Sequence, residues 1–306
     1  MISPVLVIAR KDIVEALRTR LFLIITAFLL LASMLSIAVT AAAMGGFASP
    51  DYSPIEAMRG FVEHLEIIGS ALAIIMGYRS AATERGHNTL ALVMTRPITQ
   101  RAFLVGKVIG GIVLILAVLA IVFTAIGVEL TALNGVGLSI LETVKLIVGY
   151  ISATVYMMAF FLLGFMFALY MKHLSHALLT AFAIWLVVVL VAPQIGDTLD
   201  PDNQAVGGLF MELAVPRAQE IEIMNTFDTY ETIRTGIEQL SPSKHFERLT
   251  FALWGIKGSY FGKTVMEILW EKLVDIIWLL AYVTTLVGVL FTRQANFSHL
   301  SDKLSE

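Results

Sequence analysis

Carboxylates fall near the ends of several long apolar stretches: Glu63 and Glu66 beside His64, then Glu129, then Glu267, Glu271 and Asp275. A charge held out of water must be neutralised or used, so each is a functional candidate. Glu267, Glu271 and Asp275 lie four residues apart and would share one helical face. Such a face would make an acidic gate that attracts cations or cationic lipids, drugs or peptides, with Glu63, Glu66, Glu129, Glu271 and Asp275 as candidate translocation or gating residues. The plainer reading puts most of these groups at headgroup level, where Lys272 neutralises its neighbours and long side chains reach water. Asp275 is the exception, because its side chain is short and its position deeper.

Other chemistries find less support. The chain has no cysteine, which excludes disulfides, thiol nucleophiles and cysteine metal sites. His173 and His176 are an i, i+3 pair without a visible third ligand, and a zinc or copper site wants three or four. The 13 methionines are scattered and read as packing. Gly258-Ser-Tyr-Phe-Gly-Lys-Thr264 approaches a phosphate loop but has three residues between its glycines where that loop has four, and no strand precedes it. Asp197, Asp200, Asp202 and Asn203 lack the spacing of a calcium loop. No Ser-Lys pair or His/Glu metal motif stands out in the apolar stretches. No catalytic residue, metal or cofactor is therefore expected on this chain.

The elements that position these groups follow from composition. With 58% hydrophobic and 15% charged residues and a mean hydropathy of +0.82, the chain has more apolar surface than a soluble domain of its length buries. Several runs reach the ~20 apolar residues that a ~30 Å bilayer core requires. The expectation is an all-α polytopic membrane protein with six transmembrane helices at about 21–43, 61–82, 103–131, 144–171, 175–193 and 268–292. Residues 1–20 lack the pattern of a cleaved signal peptide. Ser3-Pro4 reads as a cap and first turn, with Leu6, Ala9, Ile13 and Leu17 on one side and Lys11, Glu15 and Arg18 on the other. The segment 1–20 is thus expected as an amphipathic interfacial helix.

Lys and Arg in the short loops set orientation. Arg10, Lys11, Arg18, Arg20, Arg79, Arg85, Arg96, Arg101, Lys107, Lys172, Arg293 and Lys303 fall on the side of the termini, against Arg59 and Lys145 opposite. Both termini are expected in the cytoplasm of a cell whose plasma (inner) membrane holds the chain. The remaining divisions are helices 1–5 over 21–193, a helical external domain over 194–266, helix 6 over 267–293 and a tail over 294–306. Within the external segment, Ala218–Leu240 and Pro242–Trp254 read as helices. Phe246, Leu249, Phe251, Leu253 and Trp254 need cover from the membrane domain, a second copy or another protein.

The connector between spans two and three, about 83–101, is the most specific feature. Thr89 can cap a short helix that Arg96-Pro97 stops, and Leu90, Leu92, Val93 and Met94 give it more apolar surface than water tolerates. A partner should cover it.

The connector resembles that of permease subunits of ABC-2-type ABC transporters. Glu84, Gly86, Thr89-Leu90, Pro97 and Gly106-Lys107 stand at that family's spacing, whereas Asn88 replaces its usual Gly and Gln100 its usual Arg, with Arg101 one position later. The interfacial helix, the six spans and Leu240-Ser241-Pro242 extend the similarity over most of the chain. The large loop between spans five and six is most similar to the branch of nitrous-oxide-reductase maturation and gliding-motility permeases.

The resemblance implies a homodimer that couples to a cytoplasmic ABC ATPase through Glu84, Gly86, Thr89, Leu90, Leu92, Val93, Met94, Arg96, Pro97, Arg101 and Lys107. ATP and Mg would sit on that partner, and spans one and five would form the dimer contact. The other expected partners are the lipid bilayer and an external accessory protein, with no nucleic acid. Two activities are implied: export of a lipid, drug or peptide, or mechanotransmission to an external protein with nothing crossing. Gly106 with Gly110, and Gly164 with Ala168, are small-residue pairs that permit close helix approach, within one subunit or across a dimer.

Overall fold

A computed structural model describes residues 3–43, 54–86, 99–135, 137–199, 228–256 and 262–292, together with 213, 216, 219 and 260. Among them, six helices are long and apolar enough to cross a membrane: Arg20–Ala42, Met58–Arg85, Gln100–Leu133, Ile140–Tyr170, Leu174–Gly196 and Leu273–Thr292, here spans 1 to 6. The protein is an all-α, multi-pass membrane protein. At 1.5 Å per residue, span 3 is about 50 Å long, so it tilts or projects beyond a ~30 Å core. Thr99 caps its start by accepting from Ala102 N, and Gly135, at φ 68°, ends it. Span 4 opens on a capping box between Ser139 and Glu142.

Contacts sort the helix ends into two levels. Arg85, ending span 2, donates to the carbonyls of Ala168 and Met171 at 2.6 Å, which satisfies carbonyls that the end of span 4 leaves open. Tyr170 donates to Leu290 O of span 6 at 2.6 Å. These ends, the start of span 3 and the N-terminal helix form the base of the bundle. The opposite ends form the rim.

The bundle is built on the crossing of spans 2 and 4. A Cβ on Gly77 would lie 1.9 Å from Phe161 O, and one on Gly164 would lie 2.2 Å from Ile74 O. Backbone meets backbone there, which is how membrane helices maximise contact where no hydrophobic effect drives them together. The Gly164 pair thus works within the subunit. So does Gly106 with Gly110: a Cβ at these positions would meet Ile8 and Asp12, so the glycines seat the N-terminal helix, Pro4–Leu17, on span 3.

That helix buries only part of the expected stripe. Ile8, Ala9 and Asp12 are buried, while Leu6, Val7 and Leu17 are exposed. Of the stripe Leu6, Ala9, Ile13 and Leu17, Ala9 is buried and Ile13 half-buried, while Leu6 and Leu17 point outward because the glycines of span 3 seat the Ile8-Asp12 side. Ser3 precedes the helix with Pro4 at its first position, but its side chain makes no capping bond.

Part of the segment 194–266 folds back into the bundle. Helix Asp228–Glu238 and helix Pro242–Leu253 form a hairpin that reaches the middle of three spans. Gln239 O accepts from Tyr282 of span 6 at 2.6 Å, and Ser241 Oγ donates to Val188 O of span 5 at 2.7 Å. Phe246 stacks on Tyr156 of span 4 with ring centroids 4.6 Å apart. Phe246, Leu249, Phe251, Leu253 and Trp254 are all buried, so the membrane domain provides the cover they need. Trp254 packs on Gly149 of span 4, where a Cβ would lie 2.7 Å from its ring. Of Ala218–Leu240, the part before 228 lies outside the described residues apart from position 219.

Candidate coupling site

At the base, three elements meet in one buried charge cluster. Lys107 Nζ of span 3 lies 2.6 Å from Asp12 Oδ1 of the N-terminal helix and 3.1 Å from Glu84 Oε1 of span 2. Lys11 Nζ binds the same Glu84 oxygen at 2.8 Å. Ser80 adds its hydroxyl to Asp12 Oδ2 at 3.0 Å and its carbonyl to Lys107 at 3.1 Å. Lys107 and Glu84 are only 2% and 3% exposed, too enclosed to touch another protein directly.

Two acids and two bases balance, and nearly every polar atom has a partner, which is the condition for keeping charge in a low-dielectric site. Burial would lower the Lys11 ammonium, but its hydrogen bond to Glu84 and the charges of Glu84, Glu15 and Asp12 outweigh it, leaving the group raised. The cluster closes the space between the end of span 2 and the start of span 3, which flank the connector.

Of the expected coupling residues, Glu84, Gly86, Arg101 and Lys107 are described, with Arg101 exposed. Thr89, Leu90, Leu92, Val93, Met94, Arg96 and Pro97 lie outside the described residues. Sequence reasoning missed Asp12, the centre of the cluster. The available signal was an acid three positions after Ala9 and four after Ile8, on the side of the helix that Gly106 and Gly110 seat against span 3.

At the rim the structure separates the candidate gate residues. Glu63 is exposed and pairs with Arg59 at 3.2 Å. Glu271 pairs with Lys263 at 2.6 Å. Thr264 caps the helix Val265–Glu271 in a capping box with Glu267, and these hydrogen bonds hold the Glu267 carboxyl below its usual range. Thr264 and Lys263 are thereby committed to these contacts. Glu129 is half-buried, with Oε2 lacking a hydrogen-bond partner. The helix also breaks at Lys272, so Glu267, Glu271 and Asp275 do not share one continuous face. The four-residue spacing described a helix that a turn interrupts.

Asp275 differs from the rest. It is 7% exposed and lies 2.8 Å from His245 Nδ1 on the hairpin, with Trp278 stacked on the same imidazole. Lys272 reaches it only at 3.8 Å. Asp275 therefore fastens the hairpin to span 6.

Two π-helical turns face that hairpin, Leu65–Gly69 in span 2 and Leu186–Val191 in span 5. Such turns loosen the regular hydrogen-bond ladder and recur at functional sites. Here they turn carbonyls toward side chains: Glu66 O accepts from Tyr156 at 2.8 Å, and Val188 O from Ser241. Trp185 Nε1 donates to Ser70 Oγ at 2.7 Å. Glu66 enters the polar core through its backbone, a role its carboxyl did not announce.

Residues 6–295 match the family model described as ABC-2 family transporter protein. The chain belongs to that family. No curated protein matches it at a significant level. It is a membrane-spanning permease subunit of an ABC transporter, a transport component and not itself a catalytic enzyme. Among the described residues, no group of three or more His, Asp or Glu could hold a metal.

In such a permease the hairpin fastening has a measurable consequence. Asp275→Asn keeps the shape but removes the charge facing His245. Transport or ATPase coupling should change several-fold, because a charge-assisted hydrogen bond weakens to a neutral one. Unaltered transport and unaltered coupling in the reconstituted complex would remove Asp275 from the mechanism.

Proposed function

We propose that the base is cytoplasmic and that the chain works as a homodimer with separate ATPase subunits docked on its connectors, exporting a lipid, drug or peptide across the plasma (inner) membrane. The observation that carries this reading is the Asp12-Lys107-Glu84-Lys11 cluster. It ties the N-terminal helix to both spans that flank the connector, so a push on the connector moves three elements as one body. Span 1, with Leu23, Phe28 and Leu31 exposed, and span 5, with Leu179 and Val187 exposed, offer the dimer contact.

Export is favoured over mechanotransmission because the hairpin is inserted among the spans, where its movement would open or close a path at the rim. The mechanotransmitting branch of nitrous-oxide-reductase maturation and gliding motility would instead need an accessory protein on the segment before residue 228. ATPase stimulation by a small amphiphile supports export; co-purification of an external protein without such stimulation supports the other activity.

Docking is tested by co-purifying the chain with ATPases encoded beside it, comparing wild type with the double variant Leu90→Asp, Met94→Asp. The variant should lose the ATPase, since charges on the connector's apolar face would have to be desolvated on binding. An ATPase that binds both equally, or neither, removes the connector from the docking site.

A further inference from the structure

Beside the charge cluster, between the N-terminal helix and spans 1 to 4, lies a cavity of about 70 Å³. At roughly 10–15 Å³ per water-sized group, it has room for about five such groups. Its floor is apolar, made by Phe22, Ile25, Met76 and Phe161, and its mouth carries Glu15 and Arg79. Both mouth residues are exposed, and neither makes an ion pair among the described residues. Asp12 and Lys107 also line the cavity, but they neutralise each other. The mouth is left with one charge of each sign, in contact with an apolar interior.

The level of the cavity is set by the N-terminal helix, which exposes Leu6, Val7 and Leu17 next to exposed Arg10 and Arg18. Apolar side chains beside arginines suit the boundary between headgroups and acyl chains. The cavity therefore opens where lipid headgroups lie.

We propose that this cavity holds a resident zwitterionic phospholipid with a primary ammonium, of the phosphatidylethanolamine type. Its phosphate binds Arg79, its ammonium binds Glu15, and the upper part of one acyl chain fills the apolar floor. Phosphatidylglycerol, whose headgroup is an uncharged glycerol, brings no cation to neutralise Glu15. A quaternary ammonium has no N–H to donate to the Glu15 carboxylate. The site is independent of the route of any exported substrate and of the identity of the ATPase.

The test uses the full chain extracted in mild detergent, stripped of lipid and titrated with phosphatidylethanolamine, phosphatidylcholine or phosphatidylglycerol, with lipids per chain counted by native mass spectrometry. One phosphatidylethanolamine per chain is expected, bound at least tenfold more tightly than either other lipid. Arg79→Ala and Glu15→Gln should each weaken it about tenfold, while Arg79→Lys retains most of the binding. Both positions are exposed, so unchanged melting temperatures will show that the variants fold. Equal binding of phosphatidylglycerol, undiminished binding by Arg79→Ala and Glu15→Gln, or no retained lipid overturns the proposal. ATPase co-purification is read separately, so failure here leaves the permease reading standing.

Discussion

Lys107→Met should destabilise the protein by about 3–5 kcal/mol, the cost of breaking a buried ion network from one side, and should uncouple the ATPase from the bundle. The substitution keeps much of the side-chain volume, so lost charge is the main change. Asp12 and Glu84 would remain in the same enclosed space with only Lys11 to neutralise them, and the Lys11 side chain is half exposed. Thermal unfolding of the purified chain measures the first effect, and ATPase stimulation in the assembled complex the second. A double-mutant cycle with Asp12→Asn separates the direct 2.6 Å pair from general loss of charge. If the single and double variants lose stability additively, the pair is not coupled and the cluster does not act as a unit.

Gly164→Val should also be strongly destabilising. A Cβ there would lie 2.2 Å from Ile74 O, and a backbone carbonyl in a packed helix does not move aside as a side-chain tip would. Overpacking ordinarily costs about 1–3 kcal/mol, and a backbone clash at the central crossing belongs at or above that range. Spans 2 and 4 would separate, breaking the Tyr156 bond to Glu66 O and loosening the bed of Phe246. Gly127→Val is the control, because no atom lies within 4 Å of a Cβ there. Expression of monodisperse protein and its melting temperature give the comparison. Equal behaviour of the two variants would mean that the crossing is not as close as described.

The parts of the fold that were legible share a short range. Six spans can be read because each is a local run of apolar residues long enough for the bilayer. The turn at Lys272 was not legible, since the carboxylates around it keep a four-residue rhythm while the helix breaks. The hairpin was half legible: the apolar surface of Phe246–Trp254 demanded cover, but a run of residues does not say which of several apolar surfaces will supply it. Asp275 stood out among the rim carboxylates because its short side chain does not reach water from its depth. Its partner His245, 30 residues earlier, had no mark of its own.

The coupling site shows the same division most sharply. Sequence spacing selected Glu84, Gly106 and Lys107 and with them the family, since the motif is contiguous and lies between two spans. It also determined the membrane class and the absence of cysteine chemistry. Tertiary structure decided what those residues do: Lys107 meets Asp12 across 95 positions of chain, and Gly106 with Gly110 chooses which side of the N-terminal helix is buried. The physical reason lies in the range of each signal. Hydropathy and helix period act along the chain, where neighbours are known, whereas the neutralisation of a buried charge depends on which distant helix packs against it.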